Sequence, residues 1–136
     1  MYKRQLEALA RDAGVADRVH VLGEVDDIRP LVRGSTALLL LSTREGLARS
    51  VMEALSLEVP VVASTARGNR ELVGEDRGLI FRTGHVPGLV AHLDWLIDNP
   101  AEGRQMGIRG RAHIVERYDL RVLIRLHEEL LSLIHI

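Results

Sequence analysis

A chain of 136 residues, 46% apolar and 27% charged, has the size and balance of one globular domain and not two. A formal net charge of −1 gives no basic footprint for nucleic acid or an acidic membrane surface. With no cysteine there are no disulfides or thiolate metal sites, and runs such as "TALLLL" and "VPVVA" are far too short to span a bilayer.

The opening "MYKRQLEALARDAG" lacks the apolar core of a signal peptide. From Tyr2 its apolar residues recur at helical spacing, with Leu6 and Leu9 on one face, and the helix stops at Gly14. "RVHVLG" (18–23) is short and β-branched and reads as a strand. "DDIRPLVRGS" (26–35) reads as a short helix, with Asp26 or Asp27 as N-cap and Pro30 in the first turn. "TALLLLS" (36–42) has no alternation, which suits a strand buried on both faces. "GLARSVMEALSL" (46–57) returns to helical spacing through Leu47, Val51, Ala54 and Leu55. "VPVVAS" (59–64) reads as a second two-face strand, "GNRELV" (68–73) as one or two helical turns, and "RGLIF" (77–81) as a strand. Helices over 85–99, 100–118 and 119–136 follow, the first stopped by Asn99-Pro100 and the last capped by Asp119. This alternation predicts an α/β fold: a Rossmann-like layered parallel sheet with helices on both faces.

In such sheets, ligands bind beyond the carboxyl ends of the strands. "TALLLLS" ends at Ser42, so Thr43 to Gly46 form a loop at that rim, and the next helix starts near Leu47 or Ala48. Its free N–H groups and dipole suit a phosphate, and Gly46 admits close approach of a ligand. Glu45 beside that anion site is suited to sugar hydroxyls or to developing positive charge. Glu53, among Val51, Ala54 and Leu55, needs a partner if buried, and vicinal ribose hydroxyls would provide one. The plainer readings are that Glu45 complements the helix dipole and that Glu53 is a partly exposed helix residue.

The ordered series "VHVLGEVDDIRPLV", "REGLARSVMEAL", "VPVVA", "ARGNRELV" and "RGLIF", with the closing helices, resembles the donor-binding half of retaining glycosyltransferase family 4, of GT-B fold. The family pattern E-x7-E is met by Glu45 and Glu53. The resemblance implies that Glu45 is the catalytic carboxylate at the donor sugar. It implies that Gly46, Leu47 and Ala48 hold sugar hydroxyls and the distal phosphate. Ser50 and Val51 would lie by the diphosphate, Glu53 would bind the ribose, and Gly23, Glu24 and Val25 would border the nucleobase. It further implies retaining transfer from a nucleotide-sugar, a UDP-sugar by the wording of the motifs, to a glycan or lipid-linked acceptor in bacterial cell-surface polysaccharide synthesis. Neither cofactor nor metal is expected, since helix dipoles and basic side chains stabilise the leaving diphosphate. The expected location is cytoplasmic, with peripheral association of the full-length enzyme at the inner face of the cytoplasmic membrane.

Departures from the pattern are Ala48 where Gly or Pro is usual, Glu58-Val59 where a helix-ending glycine is usual, and Thr65 where Asp is common. The acceptor domain and the first strands of the donor domain are missing from the pattern, so residues 1–136 read as a single partial domain. "MYKRQ" and "LSLIHI" resemble translated adapter sequence and are set aside. Two rival readings share the fold class. A sugar-nucleotide 2-epimerase would place a different acid and histidine set in the cleft, and loss of nucleotide binding on Glu53→Ala would separate the first reading from a non-catalytic module. No G-x-G-x-x-G follows a strand, which argues against dinucleotide binding. Of the remaining residues, His85, His92, His113 and His127 read as solvated and Trp95 as packing between late helices. Arg104, Arg109, Arg111 and Arg117 read as a solvated face, and Asn69 and Glu71 as shaping the loop beside the cleft.

Overall fold

The computed structural model describes residues 2–134. Met1, His135 and Ile136, with the ends of the two terminal stretches set aside above, lie outside the described residues. In chain order the elements are α1 (Tyr2–Asp12), a 3-10 turn (Ala16–Arg18), α2 (Arg29–Arg33), β1 (Leu38–Leu40), α3 (Arg49–Ser56), β2 (Val61–Ser64), α4 (Arg67–Val73), β3 (Gly78–Phe81), α5 (Val86–Asp98), α6 (Pro100–Tyr118) and α7 (Leu120–Ile134). The three strands pair in the order β1-β2-β3, both pairs parallel, in register Leu38↔Val61 and Val61↔Gly78.

β2 is the central strand and all four of its residues are buried. Its alternate side chains therefore serve two cores. Val61 and Ala63 pack with Val51, Ala54 and Leu55 of α3, Leu72 and Val73 of α4, and Ile114 of α6. Val62, on the other face, packs with Phe81, Leu96 of α5 and Met106 of α6. Helices thus cover both faces of a parallel sheet, as its unbroken apolar strands require.

The expected strand over 18–23 does not form: these residues make no ladder among the described residues, and Val19 and Leu22 are exposed. β-branched alternation makes a strand only when a neighbouring edge accepts its N–H and C=O groups. α3 starts at Arg49, with Ala48 as its N-cap, one to two residues later than its apolar spacing predicts. α2 is shorter than predicted. Asp27 caps it from one position outside, its carboxylate accepting the Arg29 N–H at 3.0 Å. α6 keeps its predicted bounds, and Asp119 accepts the Arg121 N–H at 2.8 Å at the start of α7.

α3 ends cleanly without the usual glycine. The Val59 N–H reaches the Ala54 carbonyl at 3.0 Å and the Glu58 N–H reaches Leu55 at 3.0 Å. This is the paired closing pattern normally built around glycine. Here Glu58 adopts it at φ +62°, the one positive φ among the described non-glycine residues.

Candidate functional site

Parallel pairing puts the carboxyl ends of β1, β2 and β3 on one rim, so the loops 41–48, 65–66 and 82–85 leave from the same edge. The β2 and β3 ends are tied together. The Thr83 N–H donates to the Thr65 hydroxyl at 3.2 Å, and the Thr65 N–H donates to the Phe81 carbonyl at 3.0 Å. Thr65, at the position where aspartate is common, is thus a bracket between loops.

Glu45 lies in the first rim loop and is half-buried; Gly46 and Leu47 are exposed. The loop lies directly on the start of α4. The Gly68 N–H approaches the Glu45 carbonyl at 3.4 Å, and a Cβ at Gly68 would stand 1.3 Å from the Gly46 carbonyl oxygen. Only glycine fits there. Beneath the loop, the Ser64 hydroxyl donates to the Ser42 carbonyl, and the Asn69 amide donates to the Ser64 carbonyl at 3.0 Å.

At the start of α3, the Val51 and Met52 N–H groups return to the Ala48 carbonyl at 3.1 and 3.2 Å. Alanine has no side chain with which to cap, and the N–H groups of Arg49 and Ser50 have no protein acceptor among the described residues. These two donors, at the positive end of the helix, are what the rim offers to an anion.

Two of these residues have environments that their spacing left open. Val51 is fully buried in the core and its N–H donates to the Ala48 carbonyl. Glu53 is not enclosed by its apolar neighbours. Its side chain is 57% exposed and sits 3.7 Å from Arg49. At 3.6 residues per turn, Glu53 lies about 200° around the helix from Val51. It borders an open groove of about 370 Å³ with Arg29, Arg49, Met52, Leu57 and Tyr118; Glu45 and Gly46 do not. The two glutamates therefore stand at separate ends of the surface, one on the rim loop and one on the outer face of α3. Gly23, Glu24 and Val25 are exposed, Gly23 at φ +74°, on the segment leading to Arg29 of the same groove.

His85 and His127 are exposed, as expected, whereas His92 and His113 are half-buried. His85 caps α5 by accepting the Gly88 N–H at 3.1 Å. His92 Nε2 lies 3.2 Å from the Ile80 carbonyl, and His127 Nδ1 lies 2.8 Å from the Leu123 carbonyl. His113 packs edge-on to Tyr118; burial, with the nearby Arg77 and Arg117, lowers its pKa below the ordinary 6.5. Burial also raises the Tyr118 pKa, helped by its hydrogen bond to Glu71 at 3.2 Å. Arg109 and Arg111 are structural ties. Arg109 bonds the Asp76 carbonyl and Glu102, each at 2.8 Å, and Arg111 bonds the Ser56 carbonyl at 2.9 Å. Trp95 is 37% exposed and belongs to neither core. Among the described residues no group of three or more His, Asp or Glu gathers as a metal site, and no helix is long and apolar enough to cross a membrane.

The profile of the family "Glycosyl transferases group 1" matches residues 1–113. The chain belongs to the group 1 glycosyltransferases. Among relatives of this glycosyltransferase domain, a putative glycosyltransferase, EpsD, of Bacillus subtilis is 28% identical over 106 residues, 77% of this chain and 28% of its own. A GDP-mannose-dependent monoacylated phosphatidylinositol monomannoside mannosyltransferase of Corynebacterium glutamicum is 31% identical over 131 residues, 90% of this chain and 34% of its own. The crystal structure of Anabaena HepE in complex with UDP superposes with a TM-score of 0.91 at 26% identity, covering 96% of this chain and 36% of that one. The fold is thus that of GT-B glycosyltransferases, and this chain spans about a third of the length of the relatives it matches.

Sequence reasoning missed Ser42 and Ser64 as a buried support for the rim loop, because a serine at a strand end looks the same whether it faces solvent or a carbonyl. It also passed over Gly103, Gly107 and Gly110. Their spacing of four and three residues along α6 was the available signal of a close helix approach.

Proposed function

We propose that this chain is the donor-binding domain of a retaining, family 4 glycosyltransferase. The full-length enzyme would move a sugar from a UDP-sugar to a glycan or lipid-linked acceptor at the inner face of the cytoplasmic membrane. The observation that carries the reading is the rim itself. A carboxylate loop, two unpartnered N–H groups at the start of α3, and an exposed second carboxylate one turn on lie in sequence along one surface. The free donors suit a diphosphate, Glu45 the sugar end and Glu53 a ribose diol. Binding the ribose requires Glu53 to leave Arg49, an exposed pair worth at most about 1 kcal/mol, which frees Arg49 for phosphate. In the transfer, the bond between the anomeric carbon and the phosphate oxygen breaks with its electron pair going to the diphosphate. The acceptor hydroxyl bonds to the same face of the sugar and gives its proton to the departing diphosphate oxygen. The free N–H groups oppose the charge that develops on the leaving diphosphate.

Thermal unfolding with UDP, GDP and ADP, wild type beside Glu53→Ala, tests this. A nucleotide at a hundredfold excess over its dissociation constant adds about 2.7 kcal/mol. The expected result is selective stabilisation by UDP that is lost in the variant. A cooperative transition indifferent to all three nucleotides would overturn the donor reading for this chain.

A further inference from the structure

The rim loop is held from below by buried side chains of β2 and α4. Asn69 and Ser64 are 0% and 1% exposed. Asn69 donates to the Ser64 carbonyl, Ser64 donates to the Ser42 carbonyl, and Gly68, beside Asn69, meets the carbonyls of Glu45 and Gly46. Three successive parts of the loop are therefore gripped from β2 and α4, on both sides of the Glu45 side chain. The arrangement is not one that stability alone favours. The Asn69 side-chain oxygen and the Ser42 hydroxyl are buried with no protein partner among the described residues, and unsatisfied buried polar groups destabilise a fold. Apolar residues of similar size would leave no such atoms. Buried polar groups of this kind call for a reason beyond packing.

We propose that Asn69 and Ser64 are positioning residues that fix the Glu45 carboxylate at the sugar end of the donor, independently of the nucleotide end on α3. The proposal rests on the donor reading above. It separates two halves of one ligand: the Asn69–Ser64–Ser42 chain governs the sugar half, and α3 with Glu53 governs the nucleotide half.

Calorimetric titration of the 136-residue chain with UDP and with UDP-glucose tests it, with GDP and GDP-mannose as the second probe pair. Ser64→Ala removes one hydroxyl, Asn69→Ala removes the amide, and Met106→Ala weakens the opposite core without touching the loop. In Ser64→Ala and Asn69→Ala the ratio of the sugar-nucleotide Kd to the nucleotide Kd rises roughly fivefold, the worth of one hydrogen bond, while the nucleotide Kd alone is unchanged. In Met106→Ala the ratio stays at the wild-type value. Should Asn69→Ala lose its cooperative melt, Ser64→Ala decides. An unchanged ratio, or equal weakening of both ligands, overturns the positioning role while leaving the donor reading intact. A wild-type chain that binds none of the four probes overturns the donor reading, and the positioning role with it.

Discussion

Glu58 holds a left-handed backbone at φ +62° to end α3, where such a conformation costs a residue with a Cβ about 1–2 kcal/mol. Its carboxylate returns little: the contact to Arg111 is 3.6 Å long and half-exposed at both ends. Glu58→Gly removes the strain but adds freedom to the unfolded chain. The net expectation is a gain of about 0.5–1 kcal/mol, a rise in Tm of about 2–4 °C. Glu58→Ala keeps the strain and loses the contact, so it should not stabilise. Thermal unfolding of the pair distinguishes strain from charge: equal Tm values would mean that the left-handed turn is not what limits stability here. At this scale, spacing singled out Glu45 and Glu53 as candidates, but it did not give their environments. The apolar sequence neighbours of Glu53 left open whether it is buried and partnered or partly exposed. The helix turns those neighbours inward and turns Glu53 out to Arg49.

α6 shows the same point for a whole element. Its bounds followed from Asn99-Pro100 and from apolar periodicity, yet its role lies in three glycines. Gly103 faces Leu96 and Pro60, Gly107 the Glu58 backbone, and Gly110 the Leu55 side chain. Each interior glycine lowers helix stability by about 0.5–1 kcal/mol relative to alanine, and close packing of α6 on the α3–β2 corner is what offsets that. A Cβ at Gly107 would stand 1.9 Å from the Glu58 carbonyl oxygen, which is backbone and cannot swing aside. Gly107→Ala should therefore destabilise by about 1–3 kcal/mol despite its better helix propensity. At Gly110 the obstacle is the end of a leucine side chain, 2.5 Å away, so Gly110→Ala should cost less. Urea unfolding of both variants checks the order; a stabilised Gly107→Ala would show that α6 does not approach the corner this closely. The predicted strand at 18–23 failed for the complementary reason. Its β-branched pattern was sound, but a strand forms only where it pairs, and residues 18–23 pair with none of the described strands.

As a whole, the molecule exposes 10140 Å². A folded monomer of 15.1 kDa ordinarily exposes about 7,100 Å². Much of the excess is apolar side chain: Leu6 and Leu9 on α1, and Leu120, Leu131 and Leu133 on α7, are more than half exposed. We expect such a chain to be marginally stable, with a free energy of unfolding in urea near or below about 5 kcal/mol. Leu72 is fully buried between the sheet and α3. Leu72→Ala, at about 2–5 kcal/mol, should abolish the cooperative transition. We also expect no transfer of glucose from UDP-glucose by these 136 residues alone, because they span about a third of the length of the relatives they match. A robust urea midpoint in Leu72→Ala would refute the first expectation, and detectable transfer the second.

By itself the sequence determined the α/β alternation and most element bounds, because these depend on local periodicity and capping residues. Only the tertiary structure decided which of those residues face solvent, that Val51 belongs to the core, and that the loop bearing Glu45 rests on Ser64, Gly68 and Asn69. Those facts depend on contacts between segments more than twenty residues apart in the chain, from Ser42 to Ser64. Burial and backbone contact are properties of the packed chain, and no local pattern encodes which distant carbonyl a serine or an asparagine will meet.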